Sequence, residues 1–155
     1  MATINPYLNF PGTTEEAFNF YKSVFGGEFT YLQRFGDMPG CDGMVVEDKN
    51  KIMHVSLPIG KSNILMATDV LESMGQSLTA GNNFYISIST DSEEEADILF
   101  AALSAGGQVE MPLEKAFWGD YFGAFTDKFG VKWMVNYDYK QASSASREAE
   151  STLTA

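Results

Sequence analysis

An internal repeat constrains this chain more than any other feature. Thr13-Thr14-Glu15-Glu16-Ala17-Phe18-Asn19-Phe20-Tyr21 runs on to Gly26-Gly27-Glu28, and Asp91-Ser92-Glu93-Glu94-Glu95-Ala96-Asp97-Ile98-Leu99-Phe100 runs on to Gly106-Gly107-Gln108. Self-similarity at this spacing means that one supersecondary unit is used twice. Each copy opens on a Thr, Asp or Ser that can accept from the first free N–H groups of a helix, with acids in the first turn, where the helix dipole favours them. Apolar residues then recur at helical spacing, Ala17, Phe20, Tyr21 and Val24 in one copy and Ala96, Leu99, Phe100 and Leu103 in the other. A Gly-Gly pair closes each helix.

Strand-like segments flank both helices. Ile4 to Phe10 precedes the first, and Glu28 to Phe35, Ile52 to Ile59 and Ile64 to Asp69 follow it; Phe84 to Thr90 precedes the second, and Gln108 to Leu113, Tyr121 to Thr126 and Val131 to Asn136 follow it. Gly60-Lys61-Ser62-Asn63 and Asp127-Lys128-Phe129-Gly130 supply hairpin turns. Each half therefore reads strand, helix, strand, strand, strand. The expected organisation is one α+β domain over 1–139, with module one at 3–69, a link at 70–82 and module two at 83–137. The Ser-, Ala- and Thr-rich 140–155 reads as a flexible tail.

Composition narrows the class. Hydrophobic residues make up 45% of the 155, too many for a disordered chain, and no apolar run approaches a bilayer span. The net charge of −11, from 21 acidic and 10 basic residues, repels phosphate backbones and makes nucleic acid an unfavourable partner. A single cysteine, Cys41, permits no intrachain disulfide and no Cys-based metal cluster. With no signal-peptide pattern at the N-terminus, the cytoplasm is the expected compartment.

Three stretches carry a family resemblance: Pro6-Tyr7-Leu8-Asn9-Phe10 with Ala17-Phe18-Asn19-Phe20-Tyr21; His54-Val55-Ser56-Leu57-Pro58-Ile59-Gly60 with Leu65-Met66-Ala67-Thr68-Asp69; and Trp118-Gly119-Asp120-Tyr121-Phe122-Gly123 with Asp127-Lys128-Phe129-Gly130-Val131-Lys132-Trp133. With the tandem βαβββ plan, they make the chain resemble the vicinal oxygen chelate (glyoxalase/bleomycin resistance/dioxygenase) superfamily, in its PhnB-like, 3-demethylubiquinone methyltransferase-like branch. The resemblance implies a mixed or antiparallel sheet wrapped around a small-molecule cleft, and a homodimer. Enzymes of the superfamily hold one divalent ion on His, Glu or Asp from the first and last strands of each module. Here those positions fall at Pro6 or Tyr7, Met66, Tyr85 or Phe84, and Met134. Thioethers suit Cu(I) rather than Mg, Mn, Ni or Zn, so no metal cofactor is expected and an organic ligand is.

His54 is the only histidine. If Gly60 to Asn63 form the whole turn, His54 faces Asp69 across the hairpin and Met66 lies on the other face. Such a pair is either a general base with its orienting carboxylate or a structural hydrogen bond behind the cavity. Trp118, Tyr121 and Trp133 are the aromatic candidates for ligand stacking, with Tyr7, Met66, Tyr85 and Met134 as further lining, although a strand Trp is also an ordinary core residue. Three functions stay open: a metal-free small-molecule binding protein or enzyme; a protein that sequesters a cationic antibiotic of bleomycin type, drawn by the acidic surface; and a metal-dependent lyase, isomerase or dioxygenase using His54, Asp69 and Glu47. The last requires those three side chains to converge.

Overall fold

The computed structural model describes residues 1–140, in two compact units that divide between 80 and 81, with 141–155, most of the expected tail, outside the described residues. The first unit contains β1 (Tyr7–Phe10), α1 (Thr14–Phe25), β2 (Tyr31–Arg34), a short α2 (Val46–Asn50), β3 (Ile52–Ile59) and β4 (Asn63–Asp69). The second contains β5 (Ile86–Ser89), α3 (Glu93–Ser104), β6 (Gln108–Lys115), β7 (Tyr121–Thr126) and β8 (Lys132–Tyr137). The repeat thus yields two βαβββ modules, each with its own four-stranded mixed sheet, ordered β1-β4-β3-β2 and β5-β8-β7-β6. In each sheet the first strand pairs parallel with the last and the remaining pairs are antiparallel. Among the described residues no helix is long and apolar enough to cross a membrane.

Each helix covers one face of its own sheet. Module one buries Leu8, Phe10, Val55, Leu57, Leu65 and Ala67 beside Ala17, Phe18 and Tyr21 of α1. Phe18 meets Phe10 and Tyr21 edge-on, at ring centroid distances of 6.4 and 5.5 Å. The buried stripe of α1 runs through Phe18, while Phe20 and Val24 are only half-buried. Module two buries Phe125, Trp133 and Val135 beside Ala96 and Leu103 of α3. Gly123 lies where a Cβ would stand 2.6 Å from the Phe100 ring and 2.9 Å from the Leu113 backbone, so any side chain there would force helix and strands apart.

The helix starts differ in the two modules. Ser92 accepts from Glu95 N–H at 3.0 Å and Glu95 accepts from Asp91 N–H at 3.3 Å, a reciprocal cap built from local sequence. Thr13 makes no side-chain cap. The start of α1 is held instead by Asp69, the last residue of β4: its Oδ1 accepts from Thr14 N–H at 3.0 Å and from the Thr14 hydroxyl at 2.6 Å. Its Oδ2 accepts from Ile52 N–H, at the start of β3, at 2.8 Å. Asp127 plays a local part in module two, accepting from Phe129 N–H, Val131 N–H and Trp133 Nε1–H at 2.8 to 3.0 Å and so closing the β7–β8 turn.

Because both Asp69 oxygens accept, Asn cannot replace it: its amide would set donor against donor at one of the two ends. Asp69→Asn should lower stability by about 2–4 kcal/mol through the buried donors left unpaired, read as a drop in urea midpoint at unchanged slope. A midpoint equal to the parent's would show that the three bonds do not hold the module together.

Candidate functional site

The β3–β4 register decides which residues can act together. Ile59 pairs with Asn63, Pro58 with Ile64, Leu57 with Leu65, Ser56 with Met66 and Val55 with Ala67. The turn is one residue shorter than the sequence suggested, and a one-residue slip exchanges the faces. His54 therefore does not face Asp69. Asp69 points to the helix-covered side, with its oxygens taken up by Thr14 and Ile52, while His54 stands on the open side with Ser56, Met66 and, from β1, Tyr7. The expected pair does not form, and the proposed ligand set of His54, Asp69 and Glu47 does not converge. Among the described residues no group of three or more His, Cys, Asp or Glu side chains could hold a metal ion.

What surrounds His54 is hydroxyl and aromatic. Its Nδ1 lies 3.0 Å from the Tyr7 hydroxyl and its Nε2 lies 2.9 Å from Ser56 Oγ. The Tyr7 and Tyr31 rings stand 5.5 and 5.3 Å from the imidazole, centroid to centroid. Tyr31 comes from β2, where it pairs with Ser56. Between Gln33↔His54 and Arg34↔Ile52 the ladder slips, leaving Met53 as the extra residue of a bulge. Bulges re-aim side chains, and Met53 lines the same hollow as its neighbour. Tyr7, Tyr31, Met53, His54 and Ser56 bound an open hollow of about 530 Å³. Tyr7 and Tyr31 are each nearly half exposed, so both rings are available to a ligand. Burial pushes the Tyr7 phenol above its ordinary value, so it is protonated at neutral pH and can donate to His54. The cluster can hold a planar ring against two aromatic faces and exchange hydrogen bonds with it.

Module two arranges its candidates otherwise. Trp133 is 1% exposed on the helix side, and its indole N–H goes to Asp127, so it serves the core. Tyr121 also faces the helix side and donates to Asp97 of α3 at 2.5 Å; that bond holds its phenol up at about 12. Met134 is on the open side, paired with Ser87 and Ala124. Tyr85 precedes β5 and donates to Glu110 at 2.5 Å. Glu110 also accepts from Thr126 and Lys132, and these bonds, led by that of Lys132, bring its carboxyl down to about 2. Trp118 lies in the β6–β7 loop, packed edge-on against Phe117 and Phe122.

Reasoning from sequence missed Tyr31, Met53 and Ser56 as site residues. The alternation His54–Ser56 was a usable signal, since residues two apart on a strand share a face. Tyr31 needed the β2 register, which no local pattern supplies.

Comparison with known proteins agrees with this architecture. The profile of the Glyoxalase/Bleomycin resistance protein/Dioxygenase superfamily matches residues 3–135. The protein YjdN of Escherichia coli is 31% identical over 141 residues, covering 86% of this chain and 93% of YjdN. The crystal structure of PA1353 from Pseudomonas aeruginosa superposes with a TM-score of 0.78 at 42% identity, over 89% of this chain and 98% of that one. The PhnB protein of Bacillus cereus, provisionally designated a 3-demethylubiquinone-9 3-methyltransferase, superposes with a TM-score of 0.71 at 27% identity, over 88% and 99%.

The Glu110 cluster makes a pH prediction. A carboxyl with a lowered folded pKa contributes stability above its ordinary value of 4.5 and loses it as pH falls toward about 2. Carbon-detected NMR should find the Glu110 carboxyl titrating near 2, and Lys132→Met should move its midpoint up toward 4.5. A midpoint near 4.5 with Lys132 in place would mean that the bonds do not form in solution.

Proposed function

This chain belongs to the glyoxalase/bleomycin resistance protein/dioxygenase superfamily, and we propose that within it the protein binds a small organic molecule on the open face of module one without a divalent metal. The observation that carries the reading is the hollow at Tyr7, Tyr31, Met53, His54 and Ser56. Its volume falls in the range of small-ligand sites, about 300–1,000 Å³, and such sites combine apolar and aromatic walls with few polar groups. Two tyrosine rings and a thioether supply the walls here, and His54 with its two hydroxyl partners supplies the polar contacts.

The donor chemistry supports the metal-free part. By resemblance, the positions that the superfamily's enzymes use for ligands fall at Pro6 or Tyr7, Met66, Tyr85 or Phe84, and Met134, which offer at most phenols and thioethers. Neither group is a good ligand for Mg, Mn, Ni or Zn at neutral pH. Asp69 is fully engaged by backbone and hydroxyl donors. His54 alone is one ligand of the three or four that such an ion requires. No step of the proposal passes through a metal.

The test titrates isotope-labelled protein with phenol and with indole, with and without chelator. The backbone amides of Tyr7, Tyr31, His54 and Ser56 should shift together, by the same amount in both conditions. Tyr7→Ala and His54→Ala should each weaken binding several-fold. Near-stoichiometric metal in protein purified without added metal, lost in His54→Ala, would overturn the metal-free reading. Shifts absent from this face would overturn the ligand site.

A further inference from the structure

A second hollow lies beside the first in the same unit. It has a volume of about 470 Å³, and its lining includes Asn9, Met53, Thr68, Gln76, Ser77 and Leu78. Two observations join it to the hollow at His54. Met53 lines both. Tyr7 and Asn9 stand two residues apart on β1, one bounding each hollow, so their side chains leave the same face of the strand about 7 Å apart.

We propose that the two hollows are subsites of one groove that takes an elongated organic molecule, with a planar ring at the His54 end and an uncharged hydrogen-bonding group, such as a carboxamide, at the Asn9 end. The inference rests on the ligand site proposed above and adds the class of molecule. The ring end follows from Tyr7 and Tyr31, which offer stacking faces. The other end follows from its free polar groups. Among the described residues, the side chains of Asn9 and Ser77 have no hydrogen-bond partner, and Gln76 uses only its Oε1, on Leu71 N–H at 2.7 Å. A carboxamide or hydroxyl can donate to and accept from such a set. An anion is disfavoured, because no cationic side chain lines this hollow. Met53 between the subsites, and Leu78 at the far one, present apolar surface to the carbons that connect the two ends.

Three probes test this on the full chain labelled with nitrogen-15: phenol, 5-phenylpentanamide and 5-phenylpentanoate. The amide should shift the backbone resonances of Tyr7 and His54 together with those of Gln76 and Ser77. It should bind on the order of tenfold tighter than phenol, because its second contact is made intramolecularly. The carboxylate should bind more weakly than the amide. Asn9→Ala, at an exposed position, should bring the amide's affinity down toward that of phenol and leave phenol's unchanged; Ser77→Ala, outside any strand, should act in the same direction. If phenol shifts Tyr7 and His54 while the amide gains nothing, or if neither variant weakens the amide, the groove is refuted and the ring site stands. If no probe shifts Tyr7 or His54, both readings fall.

Discussion

A buried carboxylate organises module one. Asp69 is 2% exposed and is the last residue of β4, yet its bonds run to the first turn of α1 and to the first residue of β3. An unpaired carboxylate would be very costly at that depth. The N–H groups it engages would otherwise be orphans, one at a helix start and one at a strand start. The positive end of α1 adds a favourable field. No lysine or arginine takes part in these bonds, so the carboxylate is met by two backbone N–H groups and a hydroxyl. Three elements distant in sequence are fixed to one another at a single point, all on the helix-covered side. The opposite face of the same sheet carries none of this work, and there His54, Tyr7 and Ser56 gather.

The repeat, both helices and the strand-helix-strand-strand-strand order were legible in the sequence, because each rests on local patterns: acid-rich helix starts, Gly-Gly ends, alternating strands. The faces were not. Gly60-Lys61-Ser62-Asn63 accommodates a three- or a four-residue turn, and the difference moves His54 from the side of Asp69 to the side of Met66. Alternation in β7 and β8 separates Trp133 and Tyr121 from Met134 and Phe122, but it does not say which set meets a helix. Burial answers that: Trp133 is in the core. The cap of α1 was also illegible, since its partner lies 55 residues away. Local signals sufficed for elements, whereas contacts that set the site depend on register across distant strands.

The two modules share a plan and differ on their open faces. In module two, Lys132, Glu110, Tyr85 and Thr126 satisfy one another, and the carboxyl is held near 2 by the others. A ligand landing there would have to desolvate or separate an ion pair that is already well bonded. In module one the corresponding face carries a neutral cluster, in which hydroxyls meet an imidazole between two aromatic rings. Exchanging such bonds with a ligand costs little, because each neutral bond is worth about 1 kcal/mol net. Duplication supplied two similar sheets, and side-chain chemistry places an ion pair on the open face of one and hydroxyls, an imidazole and aromatic rings on that of the other.

The identity of the partners of His54 sharpens this. A carboxylate bonded to one ring nitrogen would fix the proton there and leave the other nitrogen an acceptor. Tyr7 and Ser56 impose no such choice, since a hydroxyl both donates and accepts. Either tautomer of His54, and its doubly protonated form, can keep both contacts of 3.0 and 2.9 Å by rotating an O–H bond. It is therefore the hydroxyls, not the ring nitrogens they occupy, that can turn a donor or an acceptor toward the hollow without moving a heavy atom. The register that separates His54 from Asp69 thus gives the histidine two hydroxyl partners, whose bonds can reverse, in place of one carboxylate that would fix its proton.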